Sequence, residues 1–329
     1  MAADERGWGM AGKDGCVLGI DVGGTSIKAG LMTVGGEILD MTKIPTGEIV
    51  SDAAYQEITN GLSTLVASAG YTGSDVVALG LDVPGPVDDQ GRVGFFANIE
   101  LDPEGLRSAL LEAFPASRLA FVNDANAAAL GELWKGSAKG IGSFALVTLG
   151  TGVGGGIVIG GKLVSGAFGA GGEIGHITVK PEGEERACGC GRHGCLEQYA
   201  SAKGLVWLYR QECRRQGVEG VKVEHDTDTL SVFAALKAGD ECAETAVIKM
   251  CEYLGYALAQ LSVIIDPAVF LIGGGVAGAF DAFSNKLAAS FRAHCLSTSS
   301  AARILPCSLG NKAGMYGAAY AGLQEAGLA

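Results

Sequence analysis

Two glycine-rich turns, each set between a pair of apolar runs, constrain the fold of this chain more than any other feature. The first stretch reads LGIDVGGTSIKAG (residues 18–30) and the second reads LVTLGTGVGGGIV (residues 146–158). In each, an apolar strand meets a bend of glycine and threonine, and a second apolar run follows, which predicts a β-hairpin. Because the pattern occurs twice, it predicts a duplicated α/β unit.

Strands and helices alternate around the two hairpins. Apolar residues at helical spacing predict a helix over 52–69. Further helices are predicted over 104–114, 126–134 and 240–264, and further strands over 76–87, 119–124 and 268–273. This alternation predicts an α/β fold of two similar domains, with the ligand site in the cleft between them.

Composition and charge exclude several classes of protein. The net charge of −12 argues against non-specific nucleic-acid binding, which needs a basic surface. We find no run of 18 apolar residues, so no membrane span is expected, and the start MAADERGWGM does not resemble a signal peptide. Nine cysteines, an odd number in a large chain, argue against a disulfide framework. We therefore expect a cytoplasmic protein with reduced thiols.

The glycine turns are candidate phosphate-binding loops. Backbone N–H groups at such a bend can point at phosphate oxygens, Thr25 and Thr151 add hydroxyl donors, and Asp21 could hold a hydrated Mg²⁺. The alternative is that these turns are ordinary hairpins that bind no phosphate. The occurrence of two matching hairpins in one chain makes this alternative less favoured. The spacing matches neither a Rossmann fingerprint nor a Walker A loop. A third turn, Gly273 to Gly275, follows a buried strand and allows close contact with a flat ring or its ribose.

The stretch VNDANAAALGE contains a candidate general base. Asp124 ends a predicted strand and precedes a helix, so its carboxylate could project into the mouth of the cleft and accept a proton from a hydroxyl group. An N-cap aspartate is the alternative. Asn123 beside it offers a donor and an acceptor suited to a polyol.

The stretch CGCGRHGCLE contains three closely spaced cysteines. With His176 upstream, Cys188, Cys190 and Cys195 provide four ligands, which is the number that a closed structural zinc site needs. Free thiols are the alternative, and His193 is a substitute ligand. A bound zinc ion would position two neighbouring carboxylates, Glu173 and Glu197, for hydrogen bonds to sugar hydroxyls.

From GIDVGGTSIKAG to GMYGAA, the chain resembles the ROK family of bacterial sugar kinases and repressors, most specifically in GGEIGH and CGCGRHGCLE. This resemblance implies an actin-like ATPase fold whose two domains close on a sugar. The smaller domain would comprise residues 1–121 and 315–329, and the larger one residues 122–314. It also implies ATP-dependent transfer of the γ-phosphoryl group to the 6-hydroxyl of a hexose, with glucose favoured.

Site residues follow from the resemblance, position by position. Asp124 matches the catalytic base. The residues that match sugar contacts are Asn98, Asn123, Asp124, Glu173, His176 and Glu197. The zinc ligands match His176, Cys188, Cys190 and Cys195. The nucleotide and Mg²⁺ region matches Asp21, Gly23, Gly24, Thr25, Lys28, Thr151, Gly152 and Gly274.

Three alternatives stay open. The sugar could be fructose, N-acetylglucosamine or N-acetylmannosamine, and the phosphoryl donor could be polyphosphate. The family also contains sugar-responsive repressors, but only about sixteen residues precede the first predicted strand, too few for a DNA-binding domain of the helix-turn-helix type. The resemblance further implies a homodimer or homotetramer.

Overall fold

The described residues form ten strands in two five-stranded sheets of the same strand order. The computed structural model describes residues 15–45, 47–94, 99–182 and 186–329. The first sheet has the order β3-β2-β1-β4-β5, and the second, counted from the matching edge, has the order β8-β7-β6-β9-β10. The strands of the first sheet are β1 (Cys16–Val22), β2 (Ser26–Thr33), β3 (Ile38–Pro45), β4 (Val76–Val83) and β5 (Arg118–Asn123). The second sheet contains β6 (Phe144–Leu149), β7 (Val153–Ile159), β8 (Lys162–Leu163), β9 (Val269–Gly273) and β10 (Arg303–Pro306).

Helices connect and cover these sheets. They are α1 (Asp52–Ser68), α2 (Pro103–Ala113), α3 (Asp124–Lys135), α4 (Glu197–Ala200), α5 (Ala202–Gln216), α6 (Thr229–Lys237), α7 (Glu241–Ile265), α8 (Phe280–His294) and α9 (Ala313–Glu325). The helices predicted over 52–69, 104–114, 126–134 and 240–264 are therefore confirmed as α1, α2, α3 and α7, with ends that differ by one or two residues.

The predicted duplication is confirmed by the topology. In the first sheet, β1 pairs antiparallel with β2 and parallel with β4; in the second, β6 pairs antiparallel with β7 and parallel with β9. Each half thus contains a glycine-turn hairpin joined to a parallel strand. Because the carboxyl ends of the parallel strands meet at one edge, side chains at these strand ends are brought together.

The second sheet is buried on both faces. On β6, Ala145, Val147 and Leu149 pack with the layer formed by α5 to α8, whereas Phe144 and Leu146 face α3. Alternate side chains of a strand point to opposite faces, so a strand covered on both sides has a continuous apolar sequence. In the first sheet, Leu18 and other residues pack beneath α1 and α2, and the opposite face packs on α9.

Helices α3 and α9 lie together between the two sheets, and glycines set their separation. A Cβ at Gly317 of α9 would lie 1.6 Å from the carbonyl oxygen of Ala127 in α3. A Cβ at Gly131 of α3 would lie 2.3 Å from the carbonyl oxygen of Ala313. Only glycine permits this contact between the two helix backbones. Since α9 also packs across β1, β4 and β5, its position supports the predicted return of residues 315–329 to the first domain; the domain boundaries stay a prediction.

Helix α7 is the one helix in the described ranges that is long and apolar enough to cross a membrane by length and composition. Half of its most apolar window is buried inside the structure. Its buried face includes Met250, Leu254 and Leu258, which belong to the core of the second half. A core helix meets the same criteria.

A buried carboxylate joins α3 to the segment that leads into α9. The fully buried side chain of Glu132 accepts hydrogen bonds from the backbone N–H groups of Ser137 (2.6 Å), Ser308 (2.9 Å) and Leu309 (2.9 Å). It also accepts one from the hydroxyl of Ser308 at 3.2 Å. Three backbone donors therefore depend on this one side chain.

We expect Glu132→Ala to lower the free energy of unfolding by about 3–5 kcal/mol, because it leaves buried N–H groups without an acceptor. Urea unfolding followed by circular dichroism measures this loss. The control is Glu112→Ala on the exposed face of α2, which should change the free energy by no more than about 0.5 kcal/mol. Equal effects of the two substitutions would contradict a structural role for Glu132.

Candidate active site

A cleft of about 430 Å³ lies beside the amino-terminal end of α3. Its lining includes Asp124, Gly150, Gly152, Glu197 and Gly274. The second glycine hairpin, the turn after β9 and the predicted base therefore face one space, although they are up to 150 residues apart in the sequence. The prediction that strand ends and glycine turns assemble into a cleft is confirmed for these residues.

Helix α3 begins directly after β5, and Asn123 is its N-cap. The side-chain oxygen of Asn123 accepts from the N–H groups of Ala125 (3.0 Å) and Asn126 (3.2 Å), and its Nδ2 donates to the carbonyl of Gly85 at 3.1 Å. Asp124 is thus the first residue of the helix and not its cap, and its Oδ1 accepts from the N–H of Ala125 at 2.8 Å. The capping role that the sequence analysis offered as an alternative for Asp124 belongs to Asn123.

The environment of Asp124 favours its neutral form more than water does. Its side chain is open to the cleft, and desolvation by the cleft walls is the main cause that raises its pKa. The charge of Asp21 raises the pKa further, while the N–H of Ala125 and the side chain of Asn123 oppose the shift. A carboxylate with a raised pKa at a cleft mouth is suited to accept a proton.

The first hairpin reaches the same region through Asp21. Its turn is closed by a hydrogen bond from the N–H of Gly23 to the carbonyl of Ser26 (3.2 Å), and Gly24 and Thr25 at its tip are exposed. Asp21 stands opposite Lys28 in the hairpin register, and the ammonium group of Lys28 lies 2.9 Å from Asp21 Oδ2. Lys28 is therefore paired with Asp21.

The second hairpin presents Thr151 and Gly152 at its turn, which a hydrogen bond from the N–H of Gly150 to the carbonyl of Gly152 closes at 3.0 Å. Thr151 is exposed. Gly274 follows β9 with a φ of +81°, and a Cβ there would lie 2.5 Å from the carbonyl oxygen of Leu149. Both the positive φ of Gly274 and its close approach to the Leu149 carbonyl require glycine. The turn after β9 therefore packs against the start of the second hairpin turn.

The predicted ligand cluster is assembled. One ligand atom from each of His176, Cys188, Cys190 and Cys195 lies within 4.8 Å of all the others. The Sγ of Cys188 lies 3.6 Å from His176 Nδ1, and the sulfurs of Cys190 and Cys195 lie 3.7 Å apart. His193, the substitute ligand, is exposed and not part of the cluster among the described residues.

The local charges differ among the cysteines. A hydrogen bond from the backbone N–H of Arg192, and then its side chain, lower the pKa of Cys190 to about 6, whereas burial raises the pKa of Cys195 to about 12. Thiolates are the form that binds metals. The Cys190 thiolate is thus available near neutral pH, while ionisation of Cys195 needs a cation nearby.

The cluster is joined to the cleft through two glutamates. Glu173 Oε2 lies 3.8 Å from His176 Nε2, on the ring nitrogen opposite the thiols. Glu197 Oε2 accepts from the N–H of Val153 at 3.1 Å, and its Oε1 lies 3.9 Å from Cys188 Sγ. Desolvation, and then the charges of Asp124 and Glu197, raise the pKa of Glu173, while His176 lowers it. These carboxylates therefore face one site.

One residue of this region, Asp82, was not predicted from the sequence, and one predicted residue, Asn98, lies outside the described ranges. Asp82 at the end of β4 is buried, and burial, followed by the charges of Asp21 and Asp124, raises its pKa well above the usual range, which Lys28 opposes. No motif distinguished it; only the pairing of β4 with β1 places it opposite Asp21. Asn98, a predicted sugar contact, falls among the residues that the structure does not describe.

Comparisons with known proteins identify the family of this chain. The ROK family model matches residues 17–325. A glucokinase of Halalkalibacterium halodurans is 37% identical over 309 residues, covering 91% of this chain and 92% of that protein. An N-acetyl-D-glucosamine kinase of Shigella flexneri is 30% identical, with 93% and 99% covered. The crystal structure of a ROK family glucokinase from Streptomyces griseus in complex with glucose and AMPPNP superposes with a TM-score of 0.74 at 34% identity, covering 94% of this chain and all of that one. This chain belongs to the ROK family and has its actin-like ATPase fold.

Proposed function

We propose that this protein transfers the γ-phosphoryl group of ATP to the 6-hydroxyl group of glucose. The observation that carries the proposal is the position of Asp124 in a cleft that also contains the second glycine hairpin and Glu197. A base in the same cleft as a candidate phosphate loop and a candidate sugar contact is the arrangement that phosphoryl transfer to a hydroxyl requires. The glucokinase relatives, similar over nearly the whole chain, support the same function.

In the proposed reaction, Asp124 accepts the proton of the sugar hydroxyl as the hydroxyl oxygen attacks the γ-phosphorus atom of ATP. The bond from that phosphorus to the bridging oxygen of the β-phosphate breaks, and ADP leaves. Glu173, Glu197 and the Nε2 of His176 hydrogen-bond the other hydroxyls and hold the sugar in one orientation. Asn123 holds Asp124 at the start of α3; its predicted contact with the sugar, like that of Asn98, stays a prediction. Such positioning supplies most of the catalysis in phosphoryl transfer, since little covalent chemistry falls to the protein.

The two hairpins would hold the nucleotide. The exposed hydroxyls of Thr25 and Thr151 and the N–H groups of Gly24 and Gly152 are suited to phosphate oxygens, and Gly274 leaves room for the nucleoside. Asp21 offers the oxygen donor that Mg²⁺ prefers. When bound, Mg²⁺ neutralises charge on the phosphates, and Asp21 would hold it directly or through water.

The four-ligand cluster fits a structural zinc ion. In a tetrahedral site with Zn–S of about 2.3 Å and Zn–N of about 2.0 Å, ligand atoms lie about 3.6–3.8 Å apart. The nitrogen–sulfur distance of 3.6 Å and the sulfur–sulfur distance of 3.7 Å agree with these values. Because four protein ligands leave no position for water, the ion would have a structural role and not a catalytic one. It would fix the ring of His176 and the turn that holds Glu173 and Glu197.

A panel of sugars tests the substrate. We expect the kcat/KM for glucose to exceed that for N-acetylglucosamine and N-acetylmannosamine by at least about tenfold, because the glucokinase relative is more similar to this chain than the N-acetyl-D-glucosamine kinase relative, and one added group on a substrate typically changes kcat/KM by about 10–200-fold. ADP release, measured by a coupled assay with ATP and Mg²⁺, gives these values, and ATP hydrolysis without sugar is the background. Faster turnover of an N-acetylhexosamine would contradict the choice of glucose but not the kinase activity.

The second candidate function is a kinase for an N-acetylhexosamine. It is favoured by the N-acetyl-D-glucosamine kinase relatives, which are similar over the same length of chain. In this proposal the glutamates of the cleft bind hydroxyls that N-acetylhexosamines share with glucose, so their presence does not discriminate between the two substrates. The same panel of sugars distinguishes the two candidate functions.

We also propose that the enzyme works in the cytoplasm as a homodimer or homotetramer and binds neither nucleic acid nor membranes. The net charge of −12 supports the absence of nucleic-acid binding, and the glucokinase relatives support a soluble enzyme. Light scattering coupled to gel filtration measures the molar mass of the protein in solution. A value equal to the mass of one chain, 33.4 kDa, would contradict the proposed oligomer.

A further inference from the structure

Asp82 is a buried carboxylate near Asp21 and Asp124 that none of the functions described above uses. It is the penultimate residue of β4, in register opposite Asp21 of β1, and is 1% exposed. Adjacent parallel strands place side chains of paired positions on the same face of the sheet. Asp82 is therefore beside the residue that we assign to Mg²⁺, although 61 positions separate them in the sequence.

One oxygen of Asp82 has no partner in the described part of the chain. Its Oδ2 is buried and makes no hydrogen bond. Next to this oxygen is Gly314 at the start of α9, where a Cβ would lie 2.6 Å from Asp82 Oδ2 and 3.7 Å from Asp21 Cγ. The backbone of Gly314 therefore packs directly against Asp82, at a distance that a side chain at this position would not permit. A buried oxygen without a partner is costly unless a ligand satisfies it.

The charges around this oxygen do not balance. Burial is the main cause that raises the pKa of Asp82; the charges of Asp21 and Asp124 and a hydrogen bond with Asp21 add to it, and Lys28 opposes it. Lys28 binds Asp21 at 2.9 Å, so the nearby cation is already paired with the other carboxylate. The carboxyl groups of Asp21, Asp82 and Asp124 thus offer more oxygen donors than one ammonium group satisfies, and a divalent cation that displaces the proton of Asp82 would satisfy them.

We propose that Asp82 and Asp21 together form the carboxylate pair that holds the Mg²⁺ ion of the bound nucleotide. This inference rests on the proposed kinase function. Mg²⁺ in nucleotide sites is held by one or two carboxylates in addition to phosphate oxygens and water. The rival interpretation is a neutral buried carboxyl group that only positions Asp21.

The test compares how strongly Mg²⁺ tightens nucleotide binding in the two proteins. The Kd of AMP-PNP is measured by calorimetry in excess Mg²⁺ and in EDTA, and the ratio gives the coupling between metal and nucleotide. In Asp82→Asn, which keeps the size of the side chain, we expect this ratio to fall at least tenfold because one carboxylate ligand is lost, with the Kd in EDTA unchanged. The Asp89→Asn control, at an exposed position, should leave the ratio unchanged.

Each outcome has one meaning. An equal Mg²⁺ effect in Asp82→Asn and the wild type would overturn the role of Asp82 and leave the kinase function intact. Wild-type protein that binds AMP-PNP in neither condition would overturn the kinase function and this inference together. Thermal unfolding checks that the variant folds; if it does not, Asp82→Ser, a smaller residue without charge, gives the same comparison.

Discussion

Replacing Asp124 with asparagine is expected to lower kcat by about 10²–10⁴-fold, the range for loss of a general base. The sugar KM and the Kd for glucose should change little, because asparagine keeps the size of the side chain and can still accept the Ala125 N–H bond at the start of α3. Steady-state kinetics with saturating ATP and Mg²⁺, together with calorimetry of glucose binding, measure both quantities.

A pH profile makes this prediction specific. Desolvation in the cleft and the charge of Asp21 raise the pKa of Asp124, and a general base acts only when ionised. We therefore expect kcat of the wild type to reach its maximum above this raised pKa and to fall as the pH drops through it. The midpoint of this fall should lie above the ordinary aspartate pKa of about 3.9. The residual activity of Asp124→Asn should lack this acid limb. Near-normal turnover of the variant would show that another group is the base, and Asp89→Asn controls for the charge change.

Loss of the metal site is the second large effect that we expect. Cys190→Ser should abolish binding of the proposed zinc ion and raise the sugar KM at least about tenfold, since the turn that holds Glu197 and orients His176 loses its constraint. Even the loss of an outer-shell partner of a metal ligand typically lowers metal affinity or activity by about 10–100-fold. Metal analysis by mass spectrometry of protein purified without added metal should show about one zinc per wild-type chain, as a site with four protein ligands requires.

The matched control for this substitution is Cys295→Ser. Cys295 is a half-buried free thiol at the end of α8, outside the ligand cluster, so the same chemical change should leave zinc content and sugar KM unaltered. Wild-type protein that is fully active with no zinc would sink the structural role of the metal. Chelation should also lower the melting temperature of the wild type, because the ion stabilises only the folded form.

Local patterns predicted the hairpins, four helices and the ligand cluster because each depends on residues that are close in sequence. A glycine bend between two apolar runs has few other solutions than a hairpin, and α1 follows from apolar residues at helical spacing. The cysteines lie within eight positions, and glycines between them allow a tight turn, so only His176 had to be brought from further away.

Residues that depend on strand register or on distant backbone partners were out of reach. In the sequence, Asp82 lies within a predicted apolar strand, and only the parallel pairing of β1 with β4 makes it a neighbour of Asp21. Glu132 reads as an ordinary helical glutamate until the segment at Ser308 folds against it. The choice between Asn123 and Asp124 as the helix cap required the backbone itself, since adjacent residues of both types favour that position.

Detection of the phosphorylated sugar is the decisive test of the proposed kinase activity. Wild-type protein with its metal content measured is incubated with ATP, Mg²⁺ and glucose, and the reaction is followed by phosphorus NMR. We expect the γ-phosphate signal of ATP to decrease while signals of ADP and of a sugar phosphomonoester at the 6-position increase in equal amounts. ATP that stays intact with glucose, and with every other sugar of the panel, would contradict the assignment of this cleft as the active site of a sugar kinase.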